Sequence, residues 1–321
     1  MDVSICIVSW NTKDLLYGCI KSIKEKTNGI NYEIIVVDNA SKDGSVEMVG
    51  QKFPDCKLVA SNQNWGFVKG NNIAIKEASG KYILYLNPDT TLVTSAINGM
   101  YNFLENNITY GAVGCKLTDK SGNIQYTCAA AFPTPFNTLC SLLFLDRIFP
   151  KSKLFTSREL NYWNHGDSRN VECLSGACIM ARKEIVDELG GFDENIFMYS
   201  EDVDLCYRIL EKGWQIFYLA TEVIIHYEGA STKVKRNINF APLMQKASNY
   251  YFFHKNFGRM KAVQFRIAVC FGSLYRIMLT FLFTPILVFK RDFYLFSVFK
   301  KYYNLFLWSI GLRKANQLIK E

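Results

Sequence analysis

Two apolar segments of the sequence end in carboxylates that could do chemistry. Asp38 closes the segment YEIIVVD, and Asp89 follows Asn87 and Pro88 directly after the segment KYILYL. Proline has no N–H group and a fixed φ, so it ends the second strand and leaves the carboxylate beyond it. Asp89 is therefore either a ligand at the edge of a sheet or the N-cap of a helix that begins near Thr94.

A second set of carboxylates lies between residues 193 and 204. Asp193, Glu201, Asp202 and Asp204 repel one another unless a cation or a polar site absorbs their charge. Helix capping is the alternative, because Asp202 lies where the helical segment EDVDLCYRIL begins. His226 ends the apolar segment EVIIH beside a glycine-containing turn, although a lone histidine is more often structural than a ligand.

The first 90 residues alternate between strand-like and helix-like segments. Apolar β-branched runs predict strands at 3–9, 32–38, 56–61 and 81–87, and helices are predicted at 12–26, 43–52 and 67–78. This order predicts an α/β fold with a mostly parallel, doubly wound sheet. Such sheets bind ligands beyond the carboxyl ends of their strands, where Trp10, Asp38, Asn39 and Asp89 lie.

The later segments have weaker patterns. Residues 111–135 are predicted to be irregular with some strand, and 135–155 to be an amphipathic core helix or an interfacial flap. Helices are predicted at 184–190 and 202–212, and strands at 214–219 and 222–226. Gly190 and Gly191 follow a helix, where a C-cap needs a positive φ, and Gly176 indicates a close backbone approach.

The composition changes towards the C-terminus. Residues 250–321 contain 12 Lys or Arg against Asp292 and Glu321, together with long aromatic and aliphatic runs. A basic tail favours nucleic acid or an anionic membrane, and the apolar runs favour the membrane. The uncharged run 277–289 is shorter than the roughly 20 residues of a membrane span, and Arg276 interrupts the longer apolar window.

We therefore divide the chain into a catalytic domain, residues 1–245, and a basic, hydrophobic helical tail, residues 246–321. The tail is predicted to consist of amphipathic helices that lie on the membrane surface. The N-terminal segment MDVSICIVSW lacks the basic region of a signal peptide, and the ten cysteines form no regular framework. These features predict a peripheral protein on the cytoplasmic face of the cell membrane.

Six segments together resemble a known family. SICIVSWN, IVVDNASKDGS, NWGFVKGNNIAI, YILYLNPDT, GGFDENIFMYSEDVDLCYRI and HYEGAS occur in this order over roughly residues 2–231. The series resembles the family 2 glycosyltransferases of the GT-A fold, and most of all their rhamnosyltransferase-type members. The resemblance implies inverting transfer of a rhamnose-like sugar or another hexose from a nucleotide sugar to a hydroxyl group.

The resemblance implies a nucleotide-binding role for residues at the strand ends. Asp38 would accept the N3–H group of a uracil or thymine base, on which Trp10 would stack. Further contacts to the nucleotide sugar are implied for Asn39, Asn72 and Asn87. The implied donor is accordingly a UDP-sugar or a dTDP-sugar.

The resemblance also implies a metal site and a general base. Asp89 and His226 would hold Mg²⁺ or Mn²⁺ against the diphosphate, and Asp202 would be the base with Glu201 in support. Asn87 stands where the family's metal motif has its first acid, and the missing charge is expected to weaken metal binding. Rhamnosyltransferase-like members also have this asparagine, so activity is still expected.

The implied acceptor is a lipid-linked saccharide used in cell-surface polysaccharide synthesis, met at an anionic membrane surface and without nucleic acid. Two other classes are weighed against this one. A catalytically inactive GT-A-type saccharide-binding or scaffold protein would not need Asp89, Asp202 and His226 together. A sugar-1-phosphate nucleotidyltransferase needs a glycine-rich basic loop after its first strand, where this chain has SWNTKDLL.

Overall fold

The computed structural model describes residues 1–196, 198–227, 240–288 and 294–314. They form two compact units. The first unit contains residues 1–132, 164–196 and 201–227, and the second contains residues 133–163, 198–200 and the described residues from 240 onwards. The catalytic role predicted for residues 1–245 and the membrane association predicted for residues 246–321 stay predictions. Residues 228–231 of the HYEGAS segment lie outside the described residues.

The first unit begins with the alternation that the sequence predicts. Strands β1 (Val3–Ser9), β2 (Tyr32–Asp38), β3 (Lys57–Ala60) and β4 (Tyr82–Leu86) alternate with helices α1 (Lys13–Lys26), α2 (Ser45–Lys52) and α3 (Gly66–Lys76). These strands are parallel and lie in the order β3-β2-β1-β4. All residues of β1 and β4 are buried, which explains their continuous apolar sequences. The predicted α/β class is confirmed.

The chain from residue 90 to residue 226 completes the sheet. Within it, residues 133–163 belong to the second unit and contain two helices. Its elements are β5 (Thr90–Leu92), α4 (Ala96–Asn106), β6 (Tyr110–Thr118), β7 (Ala129–Ala130), α5 (Pro135–Leu142), α6 (Leu145–Ile148), β8 (Arg169–Asn170), β9 (Cys173–Leu174), β10 (Cys178–Arg182), α7 (Lys183–Leu189), α8 (Glu201–Glu211) and β11 (Gln215–His226), with a short 3₁₀ helix at Tyr126–Cys128. The sheet continues from β4 as β10-β6-β11-β5, and β10 is antiparallel to β4.

Residues 111–135, expected to be irregular with some strand, contain β6 and β7. In β6, Gly111 has no room for a Cβ atom because Ile185, Ile209 and Trp214 pack within 2.9 Å of that position. Two other predictions for this part of the chain were wrong in detail. The two strands expected at 214–226 are one strand, β11, with a register shift near Leu219. The helix expected at 135–155 is divided into α5 and α6.

The second unit is built on two helices, α9 (Phe240–Val288) and α10 (Tyr294–Ser309). Gly258 has φ 78° and ψ 176°, so α9 bends there into an N-terminal arm and a C-terminal arm. Arg266 donates to the carbonyl oxygens of Trp308 and Ser309 on α10. Arg276 donates to the carbonyl oxygens of Ser141 and Leu142 at the end of α5. Both arginines therefore face protein.

The opposite face of the C-terminal arm is apolar and exposed. Its exposed side chains recur at helical spacing and include Met260, Val263, Ile267, Phe271, Leu274, Met278, Phe281 and Leu282. By length and composition alone, residues Ala241–Leu282 could cross a membrane, although a core helix of a soluble protein can have the same properties. We call this exposed apolar side of the C-terminal arm the outer face of α9.

An ion pair in the first unit holds α8 against the turn that follows α7. Asp204 is fully buried, and the Arg208 Nε atom lies 2.7 Å from its Oδ2 atom. The same guanidinium group donates to the carbonyl oxygens of Leu189 and Gly191. Gly190 and Gly191 have φ values of 72° and 74°, so the predicted positive-φ turn is confirmed.

Replacement of Arg208 by Met is expected to lower the free energy of unfolding by about 3–5 kcal/mol, because buried Asp204 loses its cationic partner. Urea denaturation followed by circular dichroism measures the change. The control is Lys212→Met, which removes an ion pair with Glu188 in which both side chains are about half exposed. Its expected loss is below about 1 kcal/mol. Equal losses in the two variants contradict the role of Arg208.

Candidate active site

The strand register brings the predicted residues to one edge of the sheet. Ser9 pairs with Asp38 between β1 and β2, and Cys6 pairs with Tyr85 between β1 and β4. Three residues further along each strand, the chain reaches Ser9 and Pro88. The carboxyl ends of β2, β1 and β4 therefore lie side by side, as the sequence predicts.

Asp38 is buried at this edge with one oxygen atom unused. Its Oδ1 atom accepts a hydrogen bond of 2.8 Å from the Ser41 backbone N–H, whereas its Oδ2 atom has no donor among the described residues. Trp10 follows β1 directly and is partly exposed. A buried carboxylate oxygen without a donor is suited to accept from an N–H group of a ligand.

The two predicted asparagines near this edge bond to the protein backbone. Asn39 donates to the Gly66 carbonyl oxygen and accepts from the Trp65 N–H, which ties the end of β2 to the start of α3. Asn72 makes hydrogen bonds of 2.9 Å to both the N–H and the carbonyl oxygen of Phe192. Both amides position the walls of the site, and their contacts to a nucleotide stay predictions.

Asp89 caps no helix. The residues after it form strand β5, and α4 begins only at Ala96. The Asp89 side chain is 4% exposed, and its Oδ1 atom has no hydrogen-bond donor among the described residues. The Oδ1 atom of Asn87 is likewise buried without a donor. Of the two alternatives drawn from the sequence, the structure supports a ligand position for Asp89.

His226 reaches this position through strand pairing. It pairs with Thr90 between the antiparallel strands β11 and β5, and the Tyr227 N–H donates to the Asp89 carbonyl oxygen. The His226 Nε2 atom lies 3.5 Å from Asp89 Oδ1 and 3.4 Å from Asn87 Nδ2. The side chains of His226, Asp89 and Asn87 therefore lie close together. In the sequence, 136 positions separate His226 from its strand partner Thr90.

Gln125 determines the tautomer of His226, and therefore whether the Nε2 atom that faces Asp89 carries a proton or a lone pair. The Gln125 Nε2 atom donates to the His226 carbonyl oxygen at 2.9 Å, so its Oε1 atom must be the one that lies 2.9 Å from His226 Nδ1. That oxygen accepts a hydrogen bond, which places a proton on Nδ1. In the neutral ring, Nε2 then directs a lone pair towards the Asp89 carboxylate.

This arrangement fits a divalent cation. A lone pair facing a carboxylate is unfavourable unless a positive charge lies between them. Asp89 Oδ1 and Asn87 Oδ1 supply hard oxygen ligands that lack donors, and His226 Nε2 supplies nitrogen. Within the described residues no three His, Cys, Asp or Glu side chains form a metal-binding group, so the third ligand would be the amide of Asn87.

Of the four later carboxylates, two are used by the protein itself. Asp193 Oδ1 accepts from the backbone and side-chain N–H groups of Asn195 in a turn, and Asp204 is paired with Arg208. Glu201 and Asp202 remain as candidates for chemistry. A turn and an ion pair therefore account for Asp193 and Asp204 but not for Glu201 and Asp202.

Asp202 is fixed by two backbone donors. Its Oδ2 atom accepts from the Gly176 N–H at 2.9 Å, and its Oδ1 atom accepts from the Val203 N–H at 2.8 Å. A Cβ atom on Gly176 would lie 3.4 Å from the Asp202 Cβ, so the predicted close approach is confirmed. The adjacent residue Ala177 accepts from the Asn87 N–H, which connects Asp202 to the end of β4.

Glu201 is buried beside Asp202. Its Oε2 atom has no donor among the described residues. Burial and, to a lesser extent, the neighbouring Asp202 carboxylate raise the pKa of Glu201 from 4.5 to about 8. Glu201 is therefore mainly protonated at neutral pH.

Sequence reasoning missed Gln125 and the backbone of Ala177. Gln125 lies in a segment predicted to be irregular, and no motif or spacing singles it out. Only the position of β11 shows that it contacts His226. Gly176 was found because a glycine interrupts a strand pattern, which is a local signal.

Comparison with known proteins defines the class. A family model described as Glycosyl transferase family 2 matches residues 4–190, which is more than half of the chain. The chain therefore belongs to glycosyl transferase family 2, and it is a glycosyltransferase. The family predicted from the six sequence segments is confirmed.

Its relatives include enzymes of bacterial glycan synthesis. The N-acetylglucosaminyl-diphospho-decaprenol L-rhamnosyltransferase of Mycobacterium tuberculosis is 27% identical over 210 residues, covering 62% of this chain and 67% of the relative. The O-antigen biosynthesis protein RfbC of Myxococcus xanthus is 28% identical over 238 residues, covering 72% of this chain but only 18% of RfbC. The chain thus corresponds to a small part of RfbC.

The fold is shared with a solved glycosyltransferase structure. The mannosyltransferase PcManGT from Pyrobaculum calidifontis, in complex with GDP-Man and Mn²⁺, aligns with a TM-score of 0.55 at 16% identity. The alignment covers 99% of this chain and 78% of PcManGT. This likeness supports the predicted GT-A fold class.

The raised pKa of Glu201 gives a stability prediction. The folded protein holds a proton that the unfolded chain releases above its ordinary pKa of 4.5, so stability falls as the pH rises from about 4.5 to about 8. Glu201→Gln is expected to flatten this decline. The melting temperature of the variant minus that of wild type is therefore expected to be larger at pH 8 than at pH 4.5. Calorimetric melting temperatures measure both.

The matched control is Glu211→Gln, which changes an exposed glutamate at the other end of α8. It is expected to keep the wild-type pH dependence. A Glu201→Gln variant with the same decline as wild type between pH 4.5 and pH 8 contradicts the buried, protonated state of Glu201.

Proposed function

We propose that this glycosyltransferase uses Mg²⁺ or Mn²⁺ to transfer a rhamnose-like sugar or another hexose, with inversion, from a UDP-sugar or a dTDP-sugar. The acceptor is a hydroxyl group of a lipid-linked saccharide in cell-surface polysaccharide synthesis. The observation that carries the proposal is the convergence of Asp89, Asn87 and His226 at the carboxyl edge of the sheet, with buried oxygens that lack donors.

The donor side of the reaction is supported by the strand ends. A divalent cation held by Asp89, Asn87 and His226 would offset the negative charge that develops on the departing diphosphate. Asp38 Oδ2 accepts from the N3–H group of a uracil or thymine base. Trp10, at the end of the neighbouring strand, stacks on that base.

The acceptor side is supported by the Glu201–Asp202 pair. Because Glu201 holds a proton at neutral pH, it is not the base, and that role is left to Asp202. Its two backbone donors fix the carboxylate and leave further lone pairs on both oxygens. Asp202 therefore takes the proton from the acceptor hydroxyl as the glycosidic bond forms. The hydrogen bond between Ala177 and Asn87 holds the base in register with the metal ligands.

The lipid-linked acceptor is proposed from the relatives and from the second unit. The Mycobacterium tuberculosis relative is named for an N-acetylglucosaminyl-diphospho-decaprenol substrate. The outer face of α9 offers exposed Phe271 and Phe281 side chains, and no acidic residue occurs between residues 229 and 291. The exposed apolar outer face and the absence of acidic residues support an arm that lies in the plane of an anionic cytoplasmic leaflet.

Sugar transfer tests the proposed function directly. The assay supplies UDP- and dTDP-hexoses, Mn²⁺ and N-acetylglucosamine on a prenyl diphosphate, and measures the product by mass spectrometry. Asp202→Asn is expected to lower kcat by about 10²–10⁴-fold, because the general base is lost, with donor binding unchanged. Asp187→Asn, on the exposed side of α7, is the control. Near-normal turnover of Asp202→Asn excludes it as the base, and no transfer by wild type favours an inactive scaffold.

Metal-dependent nucleotide binding tests the strand-end site without turnover. Asp89→Ala is expected to abolish the enhancement by Mn²⁺ of UDP or dTDP binding in isothermal titration calorimetry, because the carboxylate ligand is removed. Asp55→Ala changes an exposed aspartate of the same unit and should bind like wild type. Unchanged Mn²⁺-dependent affinity in Asp89→Ala rules out the proposed metal ligand.

Vesicle flotation tests the membrane surface. The double variant Phe271→Gln and Phe281→Gln is expected to bind anionic vesicles at least about tenfold more weakly, because two exposed rings no longer enter the lipid. High salt is expected to release wild type only in part, since it screens the lysines and arginines alone. Ile108→Gln removes an equally exposed apolar side chain from the first unit and serves as control. Equal flotation of all three proteins contradicts the proposed surface.

A further inference from the structure

The backbone immediately before the proposed base has an unusual conformation. Tyr199 and Ser200 have φ values of 64° and 67°, in the left-handed region that residues with a Cβ atom rarely adopt. Helix α8 begins at the next residue, Glu201, and Asp202 follows it. Two consecutive residues in this region cost free energy, and such a conformation persists only where neighbouring groups hold it. Contacts to this segment therefore influence where α8 begins and in which direction the Asp202 side chain leaves the backbone.

The N-terminal arm of α9 supplies such contacts within the second unit. The Ser200 Oγ atom donates to the Asn249 Oδ1 atom at 2.6 Å. The Ser248 Oγ atom donates to the Met198 carbonyl oxygen at 2.8 Å. Ser200, Ser248 and Asn249 are all buried, so a broken bond would leave polar atoms without water at a cost in free energy. The two bonds hold both ends of the segment 198–200.

The Asp202 carboxylate depends on the placement of this backbone. Its Oδ2 atom accepts from the Gly176 N–H at 2.9 Å, and its Oδ1 atom accepts from the Val203 N–H at 2.8 Å. A rotation of the peptides before Glu201 would move the first turn of α8 and take the carboxylate away from Gly176. The hydrogen bond of the Gly176 N–H group therefore reports on the conformation of residues 198–200.

We propose that Asn249 is a positioning residue for sugar transfer. With Ser248 at the other end of the segment, it holds residues 198–200 in the left-handed conformation, and that conformation aims the Asp202 carboxylate at the acceptor hydroxyl. The role of Asp202 as base rests on the proposed function, whereas the positioning of its carboxylate does not. Helix α9 then contributes to catalysis as well as to the proposed membrane surface, and Asn249 acts through the backbone without touching substrate.

Substitution of Asn249 separates a positioning role from packing. Asn249→Leu keeps a side chain branched at Cγ but removes the acceptor of the Ser200 hydroxyl group. The value of kcat is expected to fall about 10–100-fold, because the base is misplaced. Affinity for UDP with Mn²⁺ in isothermal titration calorimetry is expected to stay unchanged, since the metal ligands lie on other elements. Asn249→Asp retains an oxygen acceptor at the same place and is expected to restore kcat.

Asn256→Leu is the matched control on the same arm of α9. The Asn256 Nδ2 atom donates to the Phe252 carbonyl oxygen one turn earlier, so its hydrogen bond stays within the helix. This variant is expected to keep the kcat of wild type. Three results overturn the positioning role: wild-type kcat in Asn249→Leu, equal losses in Asn249→Leu and Asn256→Leu, or equal losses in Asn249→Leu and Asn249→Asp.

Hydrogen exchange locates the Asp202 carboxylate without turnover. In Asn249→Leu the Gly176 amide is expected to exchange at least about tenfold faster than in wild type, because its acceptor moves away. The Asn39 amide, which donates to the Ser9 carbonyl oxygen, is the internal reference and is expected to exchange at the wild-type rate. Equal acceleration of the two amides indicates a general loss of stability and contradicts the positioning role.

Failure of the positioning role and failure of the proposed function give different results. Selectively faster exchange at Gly176 in Asn249→Leu, without sugar transfer by wild type, contradicts the proposed function and keeps the positioning role. Sugar transfer by wild type, together with wild-type kcat and wild-type Gly176 exchange in Asn249→Leu, contradicts the positioning role and keeps the proposed function.

Discussion

Four buried carboxylate or amide oxygen atoms without hydrogen-bond donors lie at or beside the carboxyl edge of the sheet. Asp38 Oδ2, Asn87 Oδ1, Asp89 Oδ1 and Glu201 Oε2 all have this property among the described residues. A buried polar atom left unpaired costs about 1–3 kcal/mol, and more if it is charged. Cations, protons and ligand N–H groups each remove that penalty. The unpaired oxygens are therefore suited to a proton, a cation or a ligand N–H group, and the sheet holds them in place.

The sheet accomplishes this by joining a parallel half to a mixed half, in which β6 and β11 are parallel and the other pairs are antiparallel. Strands β1, β2 and β4 bring their carboxyl ends together, and β11 returns antiparallel to β5 so that His226 lies beside Asp89. Strand β10 pairs with β4, and the turn before it links Asn87 through Ala177 and Gly176 to Asp202. The proposed metal ligands and the proposed base are thereby held by backbone hydrogen bonds, which preorganise a site without side-chain rearrangement.

Much of this could be predicted from the sequence, because the signals are local. Asp89 directly follows an apolar run and a proline, so its place at a strand end needed no tertiary information. The contacts between His226, Asp89 and Gln125 depend on strands far apart in the chain, and spacing does not predict them. The sequence predicts some strand in residues 111–135 but not the bounds of β6, because Gly111 and Gly114 weaken its apolar pattern, although close packing against other elements requires them.

The most direct test of the central claim is a crystal structure of the protein with Mn²⁺ and UDP or dTDP, with data collected at the manganese absorption edge. The account predicts an anomalous peak between the Asp89 carboxylate and His226 Nε2, within coordination distance of both and of the diphosphate. It also predicts the pyrimidine base within hydrogen-bond distance of Asp38 Oδ2. Bound nucleotide with manganese elsewhere, or with Asp89 and His226 in mutual contact and no metal between them, would contradict it.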